Sequence, residues 1–295
     1  MRPPRRRASP GRVLARRLLA LLGAVLLLGG AAAAAWVVLG SSSSGAASDA
    51  PPTITVAAPK PFRVVFPEGF TRLQMAARVA AVAKIAHKER NVKPKLSKKT
   101  YLAASAPRVV PGFGKKKRPL EGFLFPATYD FLAKTTSKQL VDAQLQALQA
   151  NWKKLDLAYA TSKNLTAYDV LTIASIVERE AQVPEERAKI AAVIYNRLHA
   201  GMPLGMDSTI RYGLHVPATE PLHQSQLQSD SPYNTRKHQG LPPTPIANPG
   251  IAALQAAAHP ANVDYLYFVR KPDHRHHYFT NDYNDFVNHE KAYGY

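Results

Sequence analysis

The chain of 295 residues contains no cysteine, so it has neither a disulfide framework nor a thiolate metal site. Acidic residues are scarce as well: 20 Asp and Glu stand against 39 Lys and Arg, a net charge of +19. No internal repeat is evident. Residues 2–17 hold seven arginines and no acidic residue, which leaves +12 for the rest of the chain. Such a surplus suggests an anionic partner. Lys115-Lys-Lys-Arg118 and the lysines between 93 and 99 carry much of it.

Leu18–Gly40 then run 23 residues without a charge. About 20 apolar residues span a bilayer, and a basic flank stays cytoplasmic. The small residues Ala31–Ala35 leave room for a cleaved signal peptide. The run is longer than a usual signal core, however, and Trp36 suits an interfacial belt. The expectation is a basic cytoplasmic tail (1–17) and one uncleaved transmembrane helix (18–40) in the cell inner (plasma) membrane. A Ser-, Ala- and Pro-rich linker (41–60) follows, and the remainder lies outside the cytoplasm. That location disfavours nucleic acid and favours anionic lipid or wall polymer.

The soluble part reads as α+β, divided into a small module (61–119) and a larger domain (120–295). Phe62–Phe66 alternates like a strand and stops at Pro67-Glu-Gly69. Thr71 caps a predicted helix to about Ala86, and a shorter one follows near Lys98–Ala104. Leu120–Phe131 reads as a partly buried extended segment. A long helix is expected from Thr136 or Ser137 to about Ala158, and Thr166 starts the next. Val183-Pro184 breaks that helix, Pro184 opens another that runs to Ala200, and Gly201 ends it. From Gly201 to Gly250 the Pro-, Gly-, Ser- and Asn-rich stretch reads as binding loops. A helix over Ile251–Ala258, a hairpin of Tyr265–Val269 with His277–Thr280, and a helix over Tyr283–Tyr293 complete the chain.

Within the helix after Thr166, Ile173-Ala-Ser-Ile-Val-Glu178-Arg-Glu180 is almost wholly apolar yet carries two carboxylates. At about 100° per residue both project between apolar neighbours. A carboxyl against apolar walls loses hydration, and its neutral form gains. A neutral carboxylic acid is what general acid catalysis on a glycosidic oxygen needs. The bland alternative is a pair of rim carboxylates matched by Arg or Lys, and helical geometry alone does not choose between Glu178 and Glu180. His274, His276 and His277 invite a metal reading, but they sit at a hairpin tip without a ligand set. No metal and no cofactor is expected.

Several ordered segments resemble one family. They include Val65-Phe-Pro-Glu-Gly-Phe-Thr71, Leu120-Glu-Gly-Phe-Leu-Phe-Pro126, Ala174-Ser-Ile-Val-Glu-Arg-Glu180 and Val193-Ile-Tyr-Asn-Arg-Leu198. Ser231-Pro-Tyr-Asn-Thr235, Ile246-Ala-Asn-Pro-Gly250 and Tyr265-Leu-Tyr-Phe-Val269 continue the series. The chain resembles the YceG-like endolytic murein transglycosylases (the MltG family). The resemblance implies a membrane anchor, a LysM-like module at 61–119 and a catalytic domain at 120–295. It also implies cleavage of the β-1,4 bond from N-acetylmuramic acid to N-acetylglucosamine in nascent peptidoglycan, leaving 1,6-anhydromuramic ends. Glu180 would be the acid and then the base. Glu121, Asp207, Tyr233, Asn234 and Thr235 would line the substrate cleft, with Tyr233 stacking on a sugar and Asn234 and Thr235 bonding its polar groups. Asp207 is expected to order its loop or pair with Arg197. Glycan strands and the membrane are the implied partners, and peptidoglycan synthases are candidates. Two other readings stand: a silent wall-binding scaffold, and a hydrolase using Glu180 and Asp207. The chain departs from the family pattern at Gly205, where a glutamine is usual, at Arg236, where an aromatic is common, and in the shortness of its first module.

Overall fold

Four Ser and Thr residues set the helix starts in the computed structural model, which describes residues 60–295. Thr71, Ser97, Thr136 and Thr166 each accept the backbone N–H three residues on. The side chains of Gln74, Thr100, Gln139 and Asp169 reach back to the cap N–H groups. Each of these reciprocal boxes satisfies two donors that a helix start leaves unpaired. Thr166→Ala is therefore expected to lower stability by about 1 kcal/mol in denaturant unfolding.

The elements in order are β1 (Phe62–Val65), α1 (Arg72–Arg90), α2 (Lys98–Ala104), β2 (Thr128–Phe131), α3 (Ser137–Trp152) and α4 (Ala158–Ser162). Then come α5 (Ala167–Glu180), a 3₁₀ turn (Pro184–Glu186), α6 (Arg187–His199), α7 (Asp207–Leu214) and α8 (Gln224–Leu227). The series closes with α9 (Ile251–Ala258), β3 (Tyr267–Arg270), β4 (His277–Thr280) and α10 (Tyr283–Tyr293). The α+β expectation holds. The tail, the apolar run and the linker up to residue 59 lie outside the described residues. Among the described residues no helix is long and apolar enough to cross a membrane.

β1 pairs antiparallel with β2, Phe62 opposite Phe131 and Val65 opposite Thr128. The sheet and one continuous core thus hold residues from both sides of 119/120, and the described residues form one compact unit. β1, α1, α2 and β2 follow one another in β-α-α-β order. α5 is the central element. Tyr168 and every residue from Val170 to Val177 are buried, and α6 and α9 pack along it. The hairpin β3–β4 has Phe268 opposite Phe279 and carries α10.

Several expectations shift for identifiable reasons. The segment 120–131 is a strand only over its last four residues. Leu120, Phe123 and Leu124 are fully buried in a turn, and Gly122 adopts φ +86° with its Cα pressed on Pro245. The helix expected to run to Ala158 stops at Trp152, whose ring packs 4.6 Å from Phe113. Asp156 then accepts the N–H of Ala158 and starts α4. α1 runs one turn beyond Ala86 and ends at Asn91 in the left-handed region, φ 50°. Pro184 opens a 3₁₀ turn, with α6 beginning at Arg187. The stretch 201–250 holds two helices, because Thr209 and Ile210 of α7 are buried. His277 is not at the tip. It is buried in β4, where its Nδ1 lies 2.7 Å from Glu186 Oε2 and its N–H donates to Glu186 Oε1. His276 pairs with Asp273, and no cluster suited to a metal occurs among the described residues.

Candidate active site

The last turn of α5 brings Glu178, Arg179 and Glu180 to the corner where the chain leaves the helix through extended Ala181. The two carboxylates differ in their surroundings. Glu178 Oε2 accepts the N–H of Gly250 at 3.0 Å, and Gly250 caps the N-terminus of α9, a favourable place for negative charge. Burial nevertheless raises the Glu178 carboxyl, and the neighbouring charge of Glu68 adds to the rise. The Gly250 N–H, Arg187 and Arg179 oppose it. Glu180 is half-buried, and its Oε1 is shut from solvent with no hydrogen-bond partner in the protein.

Glu68, from the Pro67-Glu-Gly69 turn, lies against the Gly250 backbone; a Cβ there would fall 1.8 Å from Glu68 Oε1. Arg179 reaches the carbonyl of Gly69, which fastens the same turn to the end of α5. Three segments remote in sequence thus meet at the end of α5, around Glu178 and Arg179: 67–69, 178–179 and 248–250.

Glu121, expected in the cleft, lies buried among hydrogen-bond donors. It is only 4 % exposed and accepts from Arg72 N–H (2.9 Å), the Tyr212 hydroxyl (3.1 Å) and the Asn248 amide (2.9 Å). Burial outweighs these donors and lifts its carboxyl to about 7. Asn248 also donates to Phe70 O and accepts from Leu124 N–H, so one buried amide joins the start of α1, the 120–124 turn and the approach to α9. Ser175 of α5 accepts the N–H of Ile246 and ties the same segment to that helix.

Asn234 and Thr235, expected to bond sugar groups, hydrogen-bond within the surrounding loops. Asn234 is fully buried, donates to Leu227 O and Ser229 O, and accepts from Arg236 N–H. Thr235 Oγ1 accepts from Met206 N–H and meets Thr209 Oγ1 at 2.9 Å. All their polar side-chain atoms serve the loops 201–209 and 227–237. Asn234→Ala is expected to cost about 2 kcal/mol in chemical unfolding, since it strands two buried carbonyls and an N–H.

Tyr233 is half-buried, bonded to Thr244 and edge-on to Tyr212, with ring centroids 5.2 Å apart. Asp207 pairs with Arg236 at 2.7 Å, not with Arg197. Arg197 donates instead to the carbonyls of Leu204 and Leu266. Both departures from the family pattern acquire a place here. Gly205 adopts φ +64°, where a Cβ would stand 3.1 Å from Arg197 Nη1, and Arg236 is the partner of Asp207. Sequence reasoning gave no role to Glu68, Tyr212 or Asn248. The only signals were the Pro-Glu-Gly turn and the Asn-Pro-Gly run before α9.

The YceG-like family model matches residues 46–292. An endolytic murein transglycosylase of Bacillus subtilis is 38% identical over 217 residues, which cover 71% of this chain and 59% of that protein. One from Streptococcus pneumoniae is 36% identical over 243 residues, covering 75% of this chain and 43% of that protein. The chain therefore spans only 59% and 43% of the length of these two relatives. The crystal structure of a YceG-like protein from Listeria monocytogenes matches with a TM-score of 0.66 at 32% identity. The match covers 77% of this chain and 76% of that one.

Proposed function

Because the chain belongs to the YceG-like family, we propose that it is a membrane-anchored lytic transglycosylase that cuts within peptidoglycan strands. The observation that carries the reading is Glu180: a carboxyl at the exit of a buried helix, with one oxygen enclosed and unpartnered. Glu178, the rival carboxylate, is committed to Gly250 N–H and serves to hold the corner together.

Glu180 gives its proton to the glycosidic oxygen between N-acetylmuramic acid and N-acetylglucosamine as the bond to the anomeric carbon breaks. The muramic C6 hydroxyl attacks that carbon, and its proton passes to the Glu180 carboxylate. The ring closes to 1,6-anhydromuramic acid, and Glu180 ends as it began. No water enters, so the spacing of paired carboxylates in ordinary glycosidases is not required. The ion pair of Asp207 with Arg236 favours this route over hydrolysis, because it occupies the only other carboxylate singled out as a base.

Residues 18–40 supply the anchor, with the folded unit outside the cytoplasm. A linker of about 20 residues reaches only about 25 Å on average, which keeps the site beside newly made strands and the synthases that extrude them. The β-α-α-β order of β1–α1–α2–β2 supports a LysM-like, glycan-binding role for the first unit.

Digestion of purified peptidoglycan followed by mass spectrometry tests the proposal. Fragments ending in anhydromuramic acid, lighter by one water than hydrolytic ends, are expected. Hydrated ends would replace the lyase with a hydrolase. Binding without fragments would make the protein a scaffold.

A further inference from the structure

The positive charge of the folded part is confined to one end of the sequence. Residues 60–131 hold sixteen Lys and Arg against four Asp and Glu, a net +12, whereas residues 132–295 hold sixteen against fifteen. The catalytic part is thus close to neutral, and the β-α-α-β unit carries the whole excess.

The same unit exposes apolar side chains that a soluble surface gives no reason for. Val65, Leu73, Ile85 and Val109 are each about half exposed, at 48%, 45%, 50% and 46%. The two on α1 belong to a pattern. Met75, Ala76, Val79 and Ala86 face the core. On the opposite side, at about 100° per residue, Leu73, Ala77, Ala81 and Ile85 form an exposed row with i, i+4 spacing. Lys84, Lys88 and Gln74 lie on the same arc, and exposed Glu89 takes the next i, i+4 position after Ile85. An ordinary surface helix is polar on its outer side. α1 carries aliphatic side chains there, interleaved with lysines whose stems can lie on an apolar surface with their ammonium groups at its polar edge.

We propose that the outer face of α1 docks on an anionic lipid surface, as a contact additional to the anchor. Shallow burial of an aliphatic row together with attraction of lysines to anionic headgroups is how interfacial helices bind. The occupant follows from the chain itself. The uncharged run 18–40 ends about thirty residues before α1, so the face is tethered within a linker's reach of the bilayer. Docking would hold the first unit flat on the membrane and leave the near-neutral part with α5 turned toward the wall.

The absence of cysteine makes a clean test available. Ala81→Cys in the full chain carries a single NBD fluorophore, and Arg275→Cys at the β3–β4 turn serves as the control. The protein is reconstituted into phosphatidylcholine vesicles with or without about one third phosphatidylglycerol. At position 81, the anionic vesicles are expected to give a blue shift, brightening and quenching by headgroup-region spin-labelled lipid. About 0.5 M salt should reverse much of this, and the Lys84→Glu/Lys88→Glu pair should weaken the response about tenfold or more. Position 275 should not respond. Identical spectra at position 81 in neutral and anionic vesicles would overturn the inference. So would a response to soluble glycan strands without lipid, which would make the face a glycan surface. Turnover of soluble glycan is read on the same samples, so protein that cleaves normally but shows no lipid response removes this inference alone.

Discussion

Glu180→Gln is expected to lower the yield of anhydromuramic fragments by about 10³-fold or more while leaving the melting temperature and glycan binding near those of the unmodified protein. Glutamine keeps the shape and the half-buried position but cannot release a proton to the leaving oxygen, and positioned acid–base groups contribute about 10²–10⁴-fold. The preserved fold follows from the surroundings: no protein group hydrogen-bonds Glu180 Oε1, so an amide there breaks no existing contact. Glu178→Gln should behave differently. It keeps an acceptor for Gly250 N–H but loses the charge at the start of α9, so a modest loss of stability with most turnover retained is expected. Full activity in Glu180→Gln, or equal losses in both variants, would remove Glu180 from its assigned role.

The second large effect is at Glu121. Glu121→Ala strands the Arg72 N–H, the Tyr212 hydroxyl and one amide hydrogen of Asn248 in the interior, and about 3–4 kcal/mol of stability should be lost. The native carboxyl also predicts a pH dependence. Burial lifts it to about 7 from an ordinary 4.5, so between those values the folded protein holds a proton that the unfolded chain has released. Stability from this group is fully present below about pH 4.5 and declines as pH rises through about 7. The decline amounts to roughly 3 kcal/mol. Denaturant unfolding at pH 5 and pH 8 should show it, and Glu121→Gln should flatten it. A wild-type protein equally stable at both values would mean that the donors around Glu121 hold it ionised throughout.

These two residues illustrate how far the sequence could be read. Glu180 was legible as one of two candidates, because an apolar 3.6-residue pattern interrupted by carboxylates stands out in a string of letters. Helical geometry did not choose it over Glu178; the family resemblance did, and the structure adds that Gly250, more than seventy residues away, donates to Glu178. Glu121 was singled out only through the family resemblance. Its segment reads as partly buried, but the donors Asn248 and Tyr212 that surround it come from distant parts of the chain. The same holds for Asn234 and Thr235: their hydrogen bonds to carbonyls and N–H groups of the surrounding loops could not be read from loop residues with polar side chains.

Local physics set the helix starts, since a hydroxyl followed three residues later by an acceptor is a complete signal within four residues. It also set the end at Gly201, the helices over Lys98–Ala104, Ile251–Ala258 and Tyr283–Tyr293, and the separation of a basic first unit from a near-neutral second one. Tertiary structure decided what depends on partners distant in the chain. It ended α3 at Trp152, where the ring found Phe113. It paired β1 with β2 across the expected domain boundary and folded α7 within a stretch that reads as loop. It also gathered Glu68, Glu178 and Gly250 at one corner. A capping box or a helical stripe is encoded by neighbours, whereas the burial of a carboxylate and the donors it meets are properties of the assembled core.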